Sequence, residues 1–80
     1  MAKEPTFGVV IRRLRKAQNL SQEDLAFKSD LDRTYISILE RGLKQPSLPT
    51  ILRIAQALEI LPSNLCKLIE EENTATEAGS

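Results

Sequence analysis

Residues 21–42 read SQEDLAFKSDLDRTYISILERG, and this stretch decides the fold. It opens like a helix, because Ser21 can cap an N-terminus and Asp24 stands where the acid of a capping box belongs. After a short polar break, Asp32 can cap a second helix, and Gly42 can stop it. Two short helices joined by a few residues form the core of a helix-turn-helix.

The apolar residues outside this stretch also recur at helical spacing, and no segment alternates like a half-buried strand. A first helix is predicted from Thr6, its cap, to Asn19, which tolerates a left-handed conformation. A fourth follows the cap Ser47, and a fifth runs from Pro62 to about Glu70. The sequence therefore predicts an all-α fold of five helices. The predicted core stripes of the first and fourth helices are Phe7, Val10, Ile11, Leu14 and Ala17, and Leu48, Ile51, Leu52, Ala55 and Leu58.

The two ends of the chain differ in charge and in what they can bury. Residues 1–70 form one predicted domain, whereas residues 71–80 are an acidic tail that we expect to be disordered. The net charge is zero, yet residues 1–69 hold 11 basic and 7 acidic residues, and the last eleven hold four acids and no base. A basic body with an acidic tail is a weak indication of a nucleic-acid partner, since small proteins often carry such fluctuations.

The composition excludes several kinds of site. There is no His and only one Cys, so we expect no metal site, no cofactor and no internal disulfide, which fits the reducing cytoplasm. Without His the ordinary base for a nucleophile is missing, and no Gly-rich phosphate loop exists, so we expect no enzyme. The first residues, MAKEP, lack the long apolar run of a signal peptide, and no stretch reaches the roughly 18 apolar residues of a membrane span, so we expect no membrane association.

The helix after Asp32 has an unusual polar face. At about 100° per residue Ile36 and Leu39 point toward a core, and Arg33, Thr34 and Ser37 lie on the opposite side. Exposed helix faces usually carry Glu and Lys, whereas this face has no acid that a phosphate would repel. Arg33 could bind guanine bidentately, Thr34 could meet a thymine methyl, and Ser37 would allow close approach. Ordinary solvated side chains at these positions are the alternative.

A second set of residues suits the DNA backbone. Gln22 begins its helix, so its N–H lacks an intrahelical partner, and this N–H and the side-chain amide together suit a phosphate. Tyr35 lies between the two faces, so we expect its ring to pack and its hydroxyl to reach a phosphate. Weaker candidates, equally explained as solvated residues, are Lys28, Lys44, Gln45, Arg41 and Arg12.

The last predicted helix carries more apolar surface than docking on its own domain requires. One short helix reads only a few base pairs, and dimers of this motif read two half-sites about 34 Å apart. A homodimer interface is therefore expected here, with burial inside one chain as the alternative. Cys66 adjoins this surface, where a packed apolar role explains it better than a redox role. The predicted interface consists of Ile60, Leu61, Leu65, Leu68 and Ile69.

These motifs resemble the phage repressor and Cro-like (Xre) family. The similarity covers about residues 7–69, and the run 31–42 is especially similar to the controller proteins of restriction–modification systems, although related runs occur in general repressors. The residues that carry the resemblance are Ser21–Ala26, Leu31–Ser37, Leu39–Gly42 and Pro46–Leu58.

The resemblance implies a five-helix lambda-repressor-like domain that acts as a homodimer and has a recognition helix matching Arg33–Arg41. We expect a regulator of transcription that binds double-stranded DNA. RNA polymerase is the partner that an activator would touch, and nothing in the sequence singles out a surface for it. The resemblance also implies an ion pair between Arg15 and Glu40. Asp30 and Glu59 stand where the family often has Gly, so two turns need a left-handed residue other than Gly. A different class also remains open, an antitoxin-type interaction module whose apolar last helix binds another protein.

Overall fold

The computed structural model describes residues 6–78, with side chains from 7 to 74. In this part of the chain the elements are five α-helices without a strand, as the periodicity predicts. None of the described helices is long and apolar enough to cross a membrane. The helices are α1 (Thr6–Ala17), α2 (Gln22–Ser29), α3 (Arg33–Glu40), α4 (Leu48–Ala57) and α5 (Pro62–Ala78).

The starts of three helices are fixed by the predicted caps. The Ser21 hydroxyl accepts the Asp24 N–H at 2.9 Å, and the Asp24 carboxylate accepts the Ser21 N–H at 2.9 Å, which completes a capping box. Asp32 accepts the N–H of Thr34 at 2.9 Å at the start of α3. Ser47 caps α4 in the same manner. The caps thus set where α2, α3 and α4 begin.

Four helices end in the same turn. A residue with positive φ lies one or two positions after each of these helices, and the next residue donates its N–H to a carbonyl five positions back, at 2.9 to 3.0 Å. Only one of the four is glycine. The other three therefore adopt a left-handed conformation that is unfavourable for residues with a side chain. The residues with positive φ are Asn19 (59°), Asp30 (58°), Gly42 (76°) and Glu59 (57°).

The hydrophobic core lies where the five helices meet, and one side of α3 packs against it. Ile36 and Leu39 are 0% and 1% exposed, as predicted. Gly8 lets α1 lie directly against the last turn of α3, because a Cβ there would come within 2.7 Å of the Glu40 carbonyl oxygen. The largest fully buried side chains are Val10, Ile11, Leu25, Ile36, Leu39, Ile54, Leu58 and Leu65.

The predicted core face of α4 is wrong in part. Leu48 and Leu52 are 66% and 45% exposed, whereas Ile54 and Ala57 are buried in their place. α4 packs against both α2 and α5, and this position turns its Ile54 side inward. Apolar residues occur on most sides of α4, so the spacing alone allowed more than one stripe. Ala17 at the end of α1 is likewise exposed rather than buried.

The fifth helix is longer than predicted. It continues to Ala78 instead of ending near Glu70, so residues 71–78 are helical where we expected disorder. An ion pair supports the extension, because Arg13 Nη2 of α1 lies 2.8 Å from Glu72 Oε1. The Thr74 hydroxyl also donates to the Glu70 carbonyl at 3.0 Å. The remainder of the predicted tail, residues 79–80, lies outside the described residues.

The predicted dimer surface divides into buried and exposed parts. Leu65 is 0% exposed inside the core, so it has no surface to offer a second chain and the prediction fails there. Ile60, Leu68 and Ile69 are half-buried and pack against the core. Leu61 is 65% exposed and is the member of the set most open to a partner.

Candidate nucleic-acid interface

The turn between α2 and α3 positions the helix that carries the polar face. α2 ends at Ser29, its C-cap Asp30 has a left-handed φ of 58°, and Asp32 caps α3 two residues later. Ile36 and Leu39 then bury the opposite side of α3. The direction and the rotation of α3 are therefore both fixed by short-range features of residues 30–39.

The predicted base-reading residues share the outer side of α3. Arg33 and Thr34 are exposed in its first turn, and Ser37 is half-buried one turn after Arg33. Residues three and four apart lie on one face of a helix, so the three side chains form a continuous polar strip. The acids nearest to this strip are engaged elsewhere: Asp32 caps α3, and Glu40 is held by Arg15. The strip itself therefore offers hydrogen-bond donors to base edges and contains no carboxylate.

Glu40 is the centre of a hydrogen-bond network behind this helix. Its carboxylate accepts from Arg15 Nε at 2.7 Å and Nη2 at 3.1 Å, and from Gln22 Nε2 at 3.1 Å. Arg15 Nη1 also donates to the Leu20 carbonyl at 2.8 Å. The ion pair that the resemblance implies is thus present, and it joins α1, the start of α2 and the end of α3.

This network changes the role available to Gln22. We expected both its backbone N–H and its side-chain amide to meet a phosphate. In the structure the amide is bonded to Glu40, so only the N–H at the start of α2 remains available without breaking a contact. Tyr35 is half-buried with its ring packed against the core, where we expected it to lie.

The remaining backbone candidates do not form one cluster. Arg12 of α1 and Arg41, which caps the end of α3, line a common groove. Lys28 lines a different groove beside Arg53 of α4. Lys44 and Gln45 are exposed in the loop after α3. Arg12 and Arg41 therefore share a groove at the end of α3, whereas Lys28 lines a separate groove at the end of α2.

Sequence reasoning missed two cations of the groove that Arg12 and Arg41 line. Arg13 and Lys16 contribute to the same walls. The spacing of Arg12, Arg13 and Lys16 on one helix was the available signal, because residues three and four apart lie together. Their position beside the end of α3 follows from the packing of α1, which the sequence does not specify.

Comparison with known proteins identifies the family. A family model described as helix-turn-helix matches residues 11–65. The control protein C.BamHI of Bacillus amyloliquefaciens is 48% identical over 60 residues, which are 74% of each chain. The crystal structure of the restriction–modification controller protein C.AhdI from Aeromonas hydrophila is 51% identical, with a TM-score of 0.74, covering 76% of this chain and 92% of that one.

A further solved structure includes DNA. It is the tetramer of the restriction–modification controller protein C.Esp1396I in complex with its natural 35 base-pair operator. It is 34% identical, with a TM-score of 0.80, and covers 85% of this chain and 90% of that one. With its five helices and its polar α3 face, the chain belongs to the Xre-like helix-turn-helix family of DNA-binding transcription regulators and is similar to the restriction–modification controller proteins.

Proposed function

We propose that this chain binds a pseudo-palindromic operator as a homodimer and controls the transcription of a restriction–modification system. The observation that carries the proposal is the polar strip of Arg33, Thr34 and Ser37 on the outer side of a helix whose orientation is fixed at both ends. The similarity to C.BamHI and C.AhdI supports the restriction–modification context. Such a regulator acts in the cytoplasm, where RNA polymerase is the partner whose access to the promoter it would change.

The proposed roles follow the positions of the side chains. Arg33 at the N-terminal end of α3 reads guanine O6 and N7, and Thr34 and Ser37 contact adjacent base edges. Gln22 binds a phosphate through its backbone N–H, and Tyr35 through its hydroxyl. These contacts place α3 in the major groove. Further phosphate contacts are assigned to Arg41, Lys44, Gln45, Lys28 and Arg12.

Dimerisation is proposed through exposed apolar side chains of α4 and of the turn that leads into α5. Leu48, Leu52 and Leu61 are each at least 45% exposed there. Exposed large apolar side chains on neighbouring elements suit a protein interface. A twofold dimer would present two copies of α3 to half-sites about one DNA turn apart. The operator-bound tetramer of the similar protein C.Esp1396I is consistent with assembly from dimers.

The proposed dimer interface is tested by replacing the exposed Leu61 with a charged residue. Leu61→Lys should convert the dimer to a monomer in sedimentation equilibrium and should weaken binding to a duplex with two half-sites. Phe27→Lys is the matched control, because Phe27 is 89% exposed on α2, outside the proposed interface, and should leave the dimer intact. A wild-type protein that stays monomeric at tens of micromolar would contradict the proposal and favour the interaction-module alternative.

A further inference from the structure

A basic groove lies on α1 beside the end of α3. It has a volume of about 430 Å³, and four of its six lining residues are cations. Its one acid, Glu40, has a side chain only 3% exposed and already accepts from Arg15 and Gln22. The groove is therefore electropositive. Its lining residues are Val9, Arg12, Arg13, Lys16, Glu40 and Arg41.

The groove is continuous with the proposed base-reading helix. Arg41 follows α3 directly, so the groove opens at the C-terminal end of the helix that begins with Arg33. Cations that flank a helix in the major groove contact phosphates and contribute affinity without sequence preference. The groove thus extends the proposed DNA surface onto α1 through Arg13 and Lys16.

One cation of this groove is already held by a carboxylate. Arg13 Nη2 lies 2.8 Å from Glu72 Oε1 of α5, and the two side chains are 59% and 25% exposed. Arg binds carboxylates and phosphates with the same donor geometry. A DNA phosphate in the groove and the Glu72 carboxylate would therefore compete for the same guanidinium. Glu70 and Glu71 add negative charge to the same stretch of α5.

We propose that Glu72 is an intramolecular competitor of DNA phosphates for Arg13. The acidic end of α5 thereby lowers the affinity of the chain for DNA of any sequence and leaves the base preference unchanged. This inference rests on the proposed function, because it requires α3 to approach DNA. It assigns to Arg13 a phosphate contact, and to Glu72 the role of reducing that contact.

The test is Glu72→Gln, measured by fluorescence anisotropy on a random-sequence duplex between 50 and 200 mM salt. Releasing Arg13 to one more phosphate should steepen the slope of log affinity against log salt by about 0.9. The affinity of the variant divided by that of the wild type should therefore be about 3.5-fold larger at 50 mM salt than at 200 mM salt. Glu71→Gln is the matched control, because it removes the same charge from the same helix and leaves the Arg13–Glu72 pair in place.

A second background separates competition at Arg13 from general charge. In a chain that already carries Arg13→Gln, Glu72→Gln should raise the affinity for the random duplex no more than Glu71→Gln does. Three results would each overturn the proposal. Glu72→Gln and Glu71→Gln could raise the DNA affinity equally, the effect of Glu72→Gln could persist without Arg13, or Glu72→Gln could leave the affinity unchanged. Circular dichroism at 222 nm verifies that every variant is folded. If the wild type showed no operator preference, the proposed function would fail, and the competition would still be measured on the random duplex.

Discussion

Glu40 and Arg15 form a nearly buried ion pair at the junction of α1 and α3. The two side chains are 3% and 10% exposed, and Arg15 Nε lies 2.7 Å from Glu40 Oε2. Removing two charges from water costs about as much as their attraction returns, so such a pair adds little net stability. Its geometry instead joins α1 to the last turn of α3, and thereby fixes the angle at which the polar strip faces outward.

Removing one partner of this pair should be costly. Glu40→Ala leaves Arg15 charged and nearly buried, so the free energy of unfolding should fall by about 3 kcal/mol or more in urea titrations. The double variant Arg15→Met, Glu40→Leu should recover most of that loss. Arg13→Ala is the control, since it breaks an exposed pair and should cost less than about 1 kcal/mol. Similar losses for Glu40→Ala and Arg13→Ala would contradict this account.

The turn after α4 should be improved by glycine. Glu59 has a φ of 57°, a conformation that costs a non-Gly residue about 1 kcal/mol or more. Glu59→Gly should therefore raise the free energy of unfolding by up to about 1 kcal/mol in thermal or urea unfolding. Glu70→Gly, inside α5, should lower it by a similar amount. If Glu59→Gly were as destabilising as Glu70→Gly, the left-handed turn would not be strained.

The capping box of α2 should make stability depend on pH in acid. The backbone N–H of Ser21, and next its side chain, hold the pKa of the Asp24 carboxyl below its usual range. Because the folded pKa is the lower one, this contribution is present above the unfolded pKa and is lost as the pH falls through the folded pKa. Asp24→Asn should therefore reduce the loss of stability on acidification.

An NMR titration of the Asp24 carboxyl carbon measures this shift directly. The midpoint should lie below that of the same residue in an unfolded peptide. Glu23→Gln, one residue before and outside the capping box, should leave the midpoint displaced. An Asp24 midpoint equal to that of the peptide would show that the capping box does not form in solution.

Arg33 should control the preference for one base pair. Arg33→Ala should cost about 1–3 kcal/mol of operator binding and relax the preference at a single position of the site. Arg53→Ala removes the same group from α4, where Arg53 Nη1 donates to the Asp30 carbonyl at 3.5 Å and the side chain is not part of the strip, and it should leave the base preference unchanged. Binding-site selection with both variants provides the measurement. An unchanged profile for Arg33→Ala would remove Arg33 from base reading.

The local features of this chain were predictable because they depend on neighbouring residues. The Ser21–Asp24 box, the Asp32 cap and the left-handed Asn19 are each set within a few positions of the sequence. The inward face of α3 was also predictable, because Ile36 is flanked by polar residues and only one rotation of the helix buries it.

Features that depend on packing between helices were not predictable. The exposure of Leu52 depends on how α4 lies between α2 and α5, and the contact of Glu72 with Arg13 depends on how α5 packs beside α1. Gly8 gave no signal in the sequence, yet its missing side chain allows α1 to touch the end of α3. The shared groove of Arg13 and Arg41 follows from the same contact.

The ratio of the affinities for a selected duplex and a scrambled duplex distinguishes a sequence-specific regulator from a protein that binds any DNA. The wild-type protein is titrated with the duplex selected from a random pool and with a scrambled duplex of equal length, at 0.15 M salt. We expect a selected site with twofold symmetry, bound at least about 1,000-fold more tightly than the scrambled duplex. Equal affinity for the two duplexes would contradict this expectation.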